Sequence, residues 1–192
     1  QVEAEIRQTT ALTSEAFGVN LFVPQPSAAD PEGISRYAKV IEAEARRFDT
    51  TTGAPHPDDD GWADKLAVVL RMRPAVVSFT FGVPDVHTID RLRASEILIV
   101  ITVTTVAEAL QAAENGSDLL CVQGPDGGGH RGTFSPTAEP NESSLAELES
   151  DIADATSIPR IVAGGLSTRS EVAAALSRGA VAAQVGTSFL RA

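Results

Sequence analysis

Twice between residues 97 and 185 the chain runs through one order of signals: an aliphatic segment, a Thr-x-x-Glu start, a helical stretch closed by glycine, and a second aliphatic segment. Residues 97–103 lead to Thr105-Val106-Ala107-Glu108, then Gly116, then 118–123. Residues 160–163 lead to Thr168-Arg169-Ser170-Glu171, then Gly179, then 181–185. A threonine with glutamate three residues on satisfies helix-start amides reciprocally, and the closing glycine takes the left-handed turn that ends a helix. Ile97 to Val103 is almost wholly aliphatic and β-branched, the composition of a parallel strand buried on both faces. Strands that alternate with helices pair in parallel through right-handed crossovers. Two architectures fit this alternation, an open doubly wound sheet or a β/α barrel.

The remaining segments keep the alternation. Residues 1–11 read as a helix with Val2 and Ile6 on one face, and Gly18 to Val23 as a short strand stopped by Pro24 and Pro26. Asp30-Pro31 is an N-cap followed by proline at the first helical position. Ile34, Tyr37, Ala38, Ile41, Ala45 and Phe48 then hold helical spacing. Residues 50–60 are a loop rich in threonine, proline and aspartate, and Trp62, Leu66, Val69 and Leu70 make another helical face. Residues 75–81 form an apolar strand closed by Gly82. Asp85 caps a helix carrying Val86, Ile89 and Leu92, and Ser144-Leu145-Ala146-Glu147 opens one carrying Leu145, Leu148 and Ile152. The chain starts on a helix without methionine and stops just after a strand, so we expect a single domain over 1–192 that is cut at both ends.

Composition narrows the partners. A formal charge of −11 repels phosphate backbones, which argues against nucleic acid and anionic membranes as partners. It still allows one small anion in a nest of backbone amides. The one cysteine, Cys121, forms no internal disulfide, and a reducing, cytoplasmic setting is the simpler expectation. There is no apolar run of about 18 residues and no secretory leader at the start. Sheet edges could pair with another chain, so the sequence sets no oligomeric state.

Ligands of parallel β/α folds bind at the carboxyl ends of strands. Those ends carry Asn20, Ser78, Thr102 and Thr104, the segment Gln123-Gly124-Pro125-Asp126-Gly127-Gly128-Gly129-His130-Arg131-Gly132, then Ala163-Gly164-Gly165 and Gln184-Val185-Gly186-Thr187-Ser188. Gly164-Gly165 before a capped helix start, with Gly186-Thr187 on the next strand, predicts a phosphate cup built from amides and a helix dipole. Three glycines at 127–129 let the backbone lie flat against a planar ring. His130, directly after them, is a positioned titratable group. Cys121 reads as inert core, His56 and His87 as solvated side chains, and Asp58-Asp59-Asp60 as an acidic turn without calcium-loop spacing.

Phe17-Gly18-Val19-Asn20-Leu21-Phe22, Val77-Ser78-Phe79-Thr80-Phe81-Gly82, the Gln123–Gly132 loop, Ala163-Gly164-Gly165 and Gln184-Val185-Gly186-Thr187 together resemble the nitronate monooxygenases, formerly called 2-nitropropane dioxygenases. The resemblance implies a parallel (β/α)8 TIM-type barrel, of which this chain covers about six strands, and FMN as cofactor. It implies that Asn20 and Gln123 hydrogen-bond the flavin and that Gly128 and Gly129 border it. Gly164, Gly165, Gly186 and Thr187 would hold its phosphate, with Gln184 and Val185 beside them. His130 matches the family's catalytic histidine, the base that takes the α-proton of a nitroalkane. The substrates implied are a small nitronate or nitroalkane and oxygen; the products are a carbonyl compound and nitrite. Ser78 and Thr80 fall in the substrate pocket. The family usually carries glutamate-alanine where Asp126-Gly127 stand, and often histidine where Thr80 stands. An FMN-type enoyl-acyl-carrier-protein reductase shares a similar loop, and a truncated flavin- or phosphate-binding fragment is the non-enzymatic alternative.

Overall fold

The alternation is realised element by element in the computed structural model, which describes residues 1–28, 30–56 and 58–191. In chain order the elements are α1 (Val2–Leu12), β1 (Gly18–Phe22), α2 (Pro31–Arg47), α3 (Trp62–Met72), β2 (Val76–Thr80), α4 (Val86–Ala94), β3 (Leu98–Val103), α5 (Val106–Glu114), β4 (Leu119–Gln123), α6 (Leu145–Ala155), β5 (Arg160–Ala163), α7 (Arg169–Ser177), β6 (Ala182–Gln184) and a 3₁₀ turn at Thr187–Arg191. They fall into two compact units, Gln1–Gln25 with Trp62–Ala192, and Pro26–Gly61.

All strand pairs are parallel, and their order is β1-β2-β3-β4-β5-β6. This order decides between the two architectures. A doubly wound sheet reverses direction at a switch point, whereas a barrel adds each strand beside the last. The chain carries six consecutive strands of a β/α barrel.

The period of two along each strand separates the faces. Val77, Phe79, Ile99, Ile101, Leu120, Val122 and Val162 point to the helices and pack against Val69, Ile89, Leu92, Ala109, Ala112, Leu148, Ile152 and Ala175. Val100, Cys121 and Ala163 point the other way and form a second, smaller cluster with Val76, Leu119 and Ile161. Between α6 and the end of α7 lies a buried ion pair. Glu149, 1% exposed, accepts from Arg178 Nε at 2.8 Å, and its other oxygen has no partner among the described residues.

The helix starts at Ser144 and Thr168 are complete capping boxes, as expected. The one at Thr105 is only half a box. Thr105 Oγ1 accepts from Glu108 N at 3.1 Å, but Glu108 reaches past Thr105. One carboxylate oxygen accepts from Thr104 N (2.6 Å) and Thr104 Oγ1 (2.8 Å), and the other from Phe134 N (2.8 Å). The loop amide of Phe134 competes for the carboxylate and turns it away from its own helix. In the smaller unit Asp30 caps α2 through Glu32 N and Gly33 N, but no residue of that helix is buried. Its apolar stripe is present as spaced, yet Tyr37 and Phe48 stay 66% and 72% exposed. The acidic run before α3 forms a turn in which Asp58 and Asp59 accept from the amides of Asp60 and Gly61.

Candidate functional site

At the carboxyl end of the sheet the inward positions change from apolar to polar. Strand register sets Asn20 beside Ser78, Thr102 beside Cys121, Gln123 beside Ala163, and Ala163 beside Gln184. These residues line one cleft of about 560 Å³, together with Phe22, Thr80, Gly127–His130, Gly164–Ser167 and Gly186–Ser188. Every site residue expected from the sequence lines it except Val185. Val185, one residue past β6, lines an apolar groove with Val172, Leu176 and Phe189.

The floor is a set of hydroxyls with a defined direction. Ser78 Oγ and Thr80 Oγ1 both donate to Asn20 Oδ1, at 2.8 and 3.1 Å. Thr80 Oγ1 lies 3.4 Å from Thr102 Oγ1. With its oxygen so occupied, Asn20 has only its amide donors left for the cleft. Burial pushes the Cys121 thiol up to about 11, which makes it a poor nucleophile and agrees with its reading as inert core.

The loop after β4 is held by side chains rather than by a backbone ladder. Gln123 Nε2 donates to His130 O at 2.9 Å, and Gly132 N donates to Gln123 Oε1 at 2.7 Å. Gln25 Nε2 donates to Thr133 O at 2.9 Å, and Arg131 donates to Asn141 O at 2.6 Å. The His130 ring is exposed and faces two phenyl rings. Phe81 lies edge-on at 6.1 Å and Phe22 is tilted at 6.5 Å, while the two phenylalanines are 4.9 Å apart. Phe81 adopts φ +75°, a conformation that L residues rarely take and that clusters at functional sites. Neither Phe22, Phe81, Gln25 nor Glu108 stood out in the sequence as a site residue. The one available signal was the Phe81-Gly82 pair closing β2.

Opposite the loop, Gly164 and Gly165 take φ +90° and +80°. A Cβ on Gly164 would stand 2.8 Å from Gly124 O, and one on Gly165 would stand 2.8 Å from Asp126 Cβ. These two close approaches let the β5 loop lie directly against the β4 loop. On the other flank a Cβ at Gly128 would come 2.6 Å from Thr187 Oγ1. The anion cup differs from the expectation in one respect. Three amides around the α7 start are already satisfied: Ser167 N and Thr168 N donate to Glu171 Oε2, and Glu171 N donates to Thr168 Oγ1. Those bonds, led by the Ser167 amide, hold the Glu171 carboxyl down to about 2. The donors left for an anion are the amides of Gly164, Gly165 and Gly186, which have no partner among the described residues, and the Thr187 hydroxyl.

Comparison with known proteins places the whole chain among related sequences and folds. A family model described as nitronate monooxygenase matches residues 1–192. A curated nitronate monooxygenase of Paraburkholderia phytofirmans is 35% identical over 96% of this chain and 52% of its own length. The crystal structure of a nitroalkane oxidase from Streptomyces ansochromogenes superposes with a TM-score of 0.89 at 39% identity, over 98% of this chain and 55% of that one. FabK from Thermotoga maritima shares the fold at a TM-score of 0.67 and 22% identity, over 98% of this chain and 47% of that one. The chain thus spans about half the length of the proteins it matches.

Proposed function

The chain belongs to the nitronate monooxygenase family, and on that premise we propose that the full-length protein uses FMN to oxidise alkyl nitronates and nitroalkanes with oxygen, giving carbonyl compounds and nitrite. One observation carries the reading. An exposed histidine follows a glycine run in the lining of one cleft, and glycine amides that lack partners among the described residues line the same cleft.

The residues present fit a flavin mononucleotide. The cleft lies within the roughly 300–1,000 Å³ range of cofactor and ligand sites. Its glycines leave room where side chains would intrude: Gly129 and Gly186 face open space. The amides of Gly164, Gly165 and Gly186, with Thr187 Oγ1, would hold the phosphate. Backbone donors suit this task in a chain whose net charge is −11. Asn20 would offer its amide hydrogens to an acceptor atom of the ring, because Ser78 and Thr80 occupy its oxygen. When bound, FMN supplies the electron acceptor that couples nitronate oxidation to oxygen.

The chain's own chemistry is then proton removal. A neutral nitroalkane must lose its α-proton before it can be oxidised, and an unprotonated His130 nitrogen accepts it. The ring projects from the loop into the cleft beside Phe22 and Phe81, apolar neighbours that suit an alkyl substrate. A preformed nitronate has no such proton to lose and bypasses this step.

The test is the full-length protein's visible spectrum, followed by oxygen uptake with propionate 3-nitronate or 2-nitropropane nitronate. A flavin spectrum and rapid uptake support the reading; full-length protein that cannot take up FMN sinks it. His130→Ala should keep FMN and lose turnover of neutral nitroalkanes by about 10²–10⁴-fold, with little change on preformed nitronates. Equal losses on both would remove His130 as the base.

A further inference from the structure

We infer that Gln123 is a positioning residue for His130, the residue that sets where the base stands. The inference rests on the proposed role of His130 and concerns a different bond set from the flavin contact that the family resemblance gives Gln123.

Gln123 is the last residue of β4, so its backbone is held in the sheet beside Ala163 of β5. Its side chain does not extend freely over the cleft. The amide nitrogen donates to the carbonyl of His130 and the amide oxygen accepts from the N–H of Gly132. One planar group thereby brackets the backbone on both sides of Arg131. Only an amide can do this, because the bracket needs a donor and an acceptor side by side. Gly132 completes the seat. A Cβ there would lie 3.0 Å from the Thr102 methyl, 3.2 Å from the Thr80 methyl and 3.3 Å from Gln123 Oε1. The chain therefore dips onto the floor at Gly132 and rises again, which directs His130 toward Phe22 and Phe81.

Two further side chains hold the next residues. Gln25, beyond β1, fixes the Thr133 carbonyl, and Glu108, on α5, fixes the Phe134 amide. A loop with no regular structure is thus tied at four backbone groups between 130 and 134 by three side chains from separate parts of the fold. Of the three, Gln123 alone bonds to His130 itself.

The experiment uses the intact, FMN-loaded protein with Gln123→Leu, which removes both bonds, and Gln123→Glu, which keeps an acceptor for Gly132 N and loses the donor to His130 O. A base displaced by about 1 Å loses on the order of 10²-fold in rate. Gln123→Leu should therefore lose about a hundredfold more in kcat/KM on a neutral nitroalkane than on the matching nitronate, with Gln123→Glu between it and the parent. Amide exchange in the flavin-free protein gives a readout independent of turnover. Loss of one hydrogen bond should speed exchange at Gly132 N–H by about tenfold in Gln123→Leu, whereas Gln123→Glu should retain the protection. A fall in FMN affinity with an unchanged nitroalkane-to-nitronate ratio would make Gln123 a flavin ligand and overturn the inference, as would unchanged exchange at Gly132. Failure of the base assignment shows separately, as equal losses on both substrates in His130→Ala.

Discussion

The contact between the β4 and β5 loops can be tested by giving Gly164 a side chain. In Gly164→Ala two effects add. Alanine at φ +90° costs about 1–2 kcal/mol for the left-handed backbone. The new methyl would also stand 2.8 Å from Gly124 O and 3.1 Å from Gly124 N. These are backbone atoms, which cannot rotate aside as a long side chain would. Forcing them apart costs about 1–3 kcal/mol, as for other overpacked sites. The expected destabilisation is therefore about 2–5 kcal/mol, with a matching loss of FMN affinity as the loops separate. Gly186→Ala is the control. It has no positive φ and nothing within 4 Å of the added Cβ, so its stability should stay within about 0.5 kcal/mol of the parent. Any effect on FMN affinity there would arise in the cup itself. Urea unfolding with fitted m-values measures the first quantity, and flavin fluorescence titration the second. A Gly164→Ala protein as stable as the parent would refute the close approach as a structural requirement.

Three other outcomes follow from the structure. Removal of Arg178 strands a carboxylate that is 1% exposed, whereas removal of Glu149 leaves an arginine already 35% exposed that can turn to water. Arg178→Met should therefore lose about 3 kcal/mol and Glu149→Leu clearly less, and the reverse order in urea melts would contradict this account. The Glu171 carboxyl is lowered in the folded chain, so its contribution is present above its usual titration near 4.5 and is lost as pH falls through about 2. A carbon-detected titration of Glu171 should place its midpoint well below that of the exposed glutamates. The start of α7 should loosen across this window in the parent but not in Glu171→Gln. Cys121, with its thiol raised to about 11, should resist iodoacetamide at pH 8 in native protein and react once the chain is unfolded. Rapid labelling of the native state would show that the thiol is accessible as thiolate.

Much of this was legible in the sequence because the relevant signals are local. A threonine or serine three residues before glutamate identifies a helix start, and an unbroken aliphatic run such as 98–103 identifies a strand buried on both faces. The architecture was legible only through the family resemblance, because βαβ units have the same local grammar in a barrel and in an open sheet. Only the strand order separates them. The site was legible as a set of strand ends but not as a set of bonds. Gln25 and Thr133 are 108 residues apart and meet through a side chain and a carbonyl, a contact with no spacing rule. Glu108 read as a capping residue and serves two amides outside the box, since a loop amide that arrives from far along the chain outcompetes the local one. Val185 lies one residue past β6, and no spacing rule indicates that it lines the apolar groove beside α7.

The sequential strand order also bears on the route by which the chain reaches this structure. Each strand can pair with the one before it as soon as the intervening segment closes. Those segments differ in length: Thr80 to Leu98 and Val103 to Leu119 are short, while Phe22 to Val76 is roughly three times as long as either and carries about 1 kcal/mol more closure entropy. On closure entropy alone, pairing of β1 with β2 is therefore the costliest of these contacts to form. Asn20 and Gln25 come with that strand. The Asn20 part of the cleft floor and the Gln25 tie of the histidine loop are completed only when β1 is in place, so a sheet without it holds His130 in a loop that lacks one anchor.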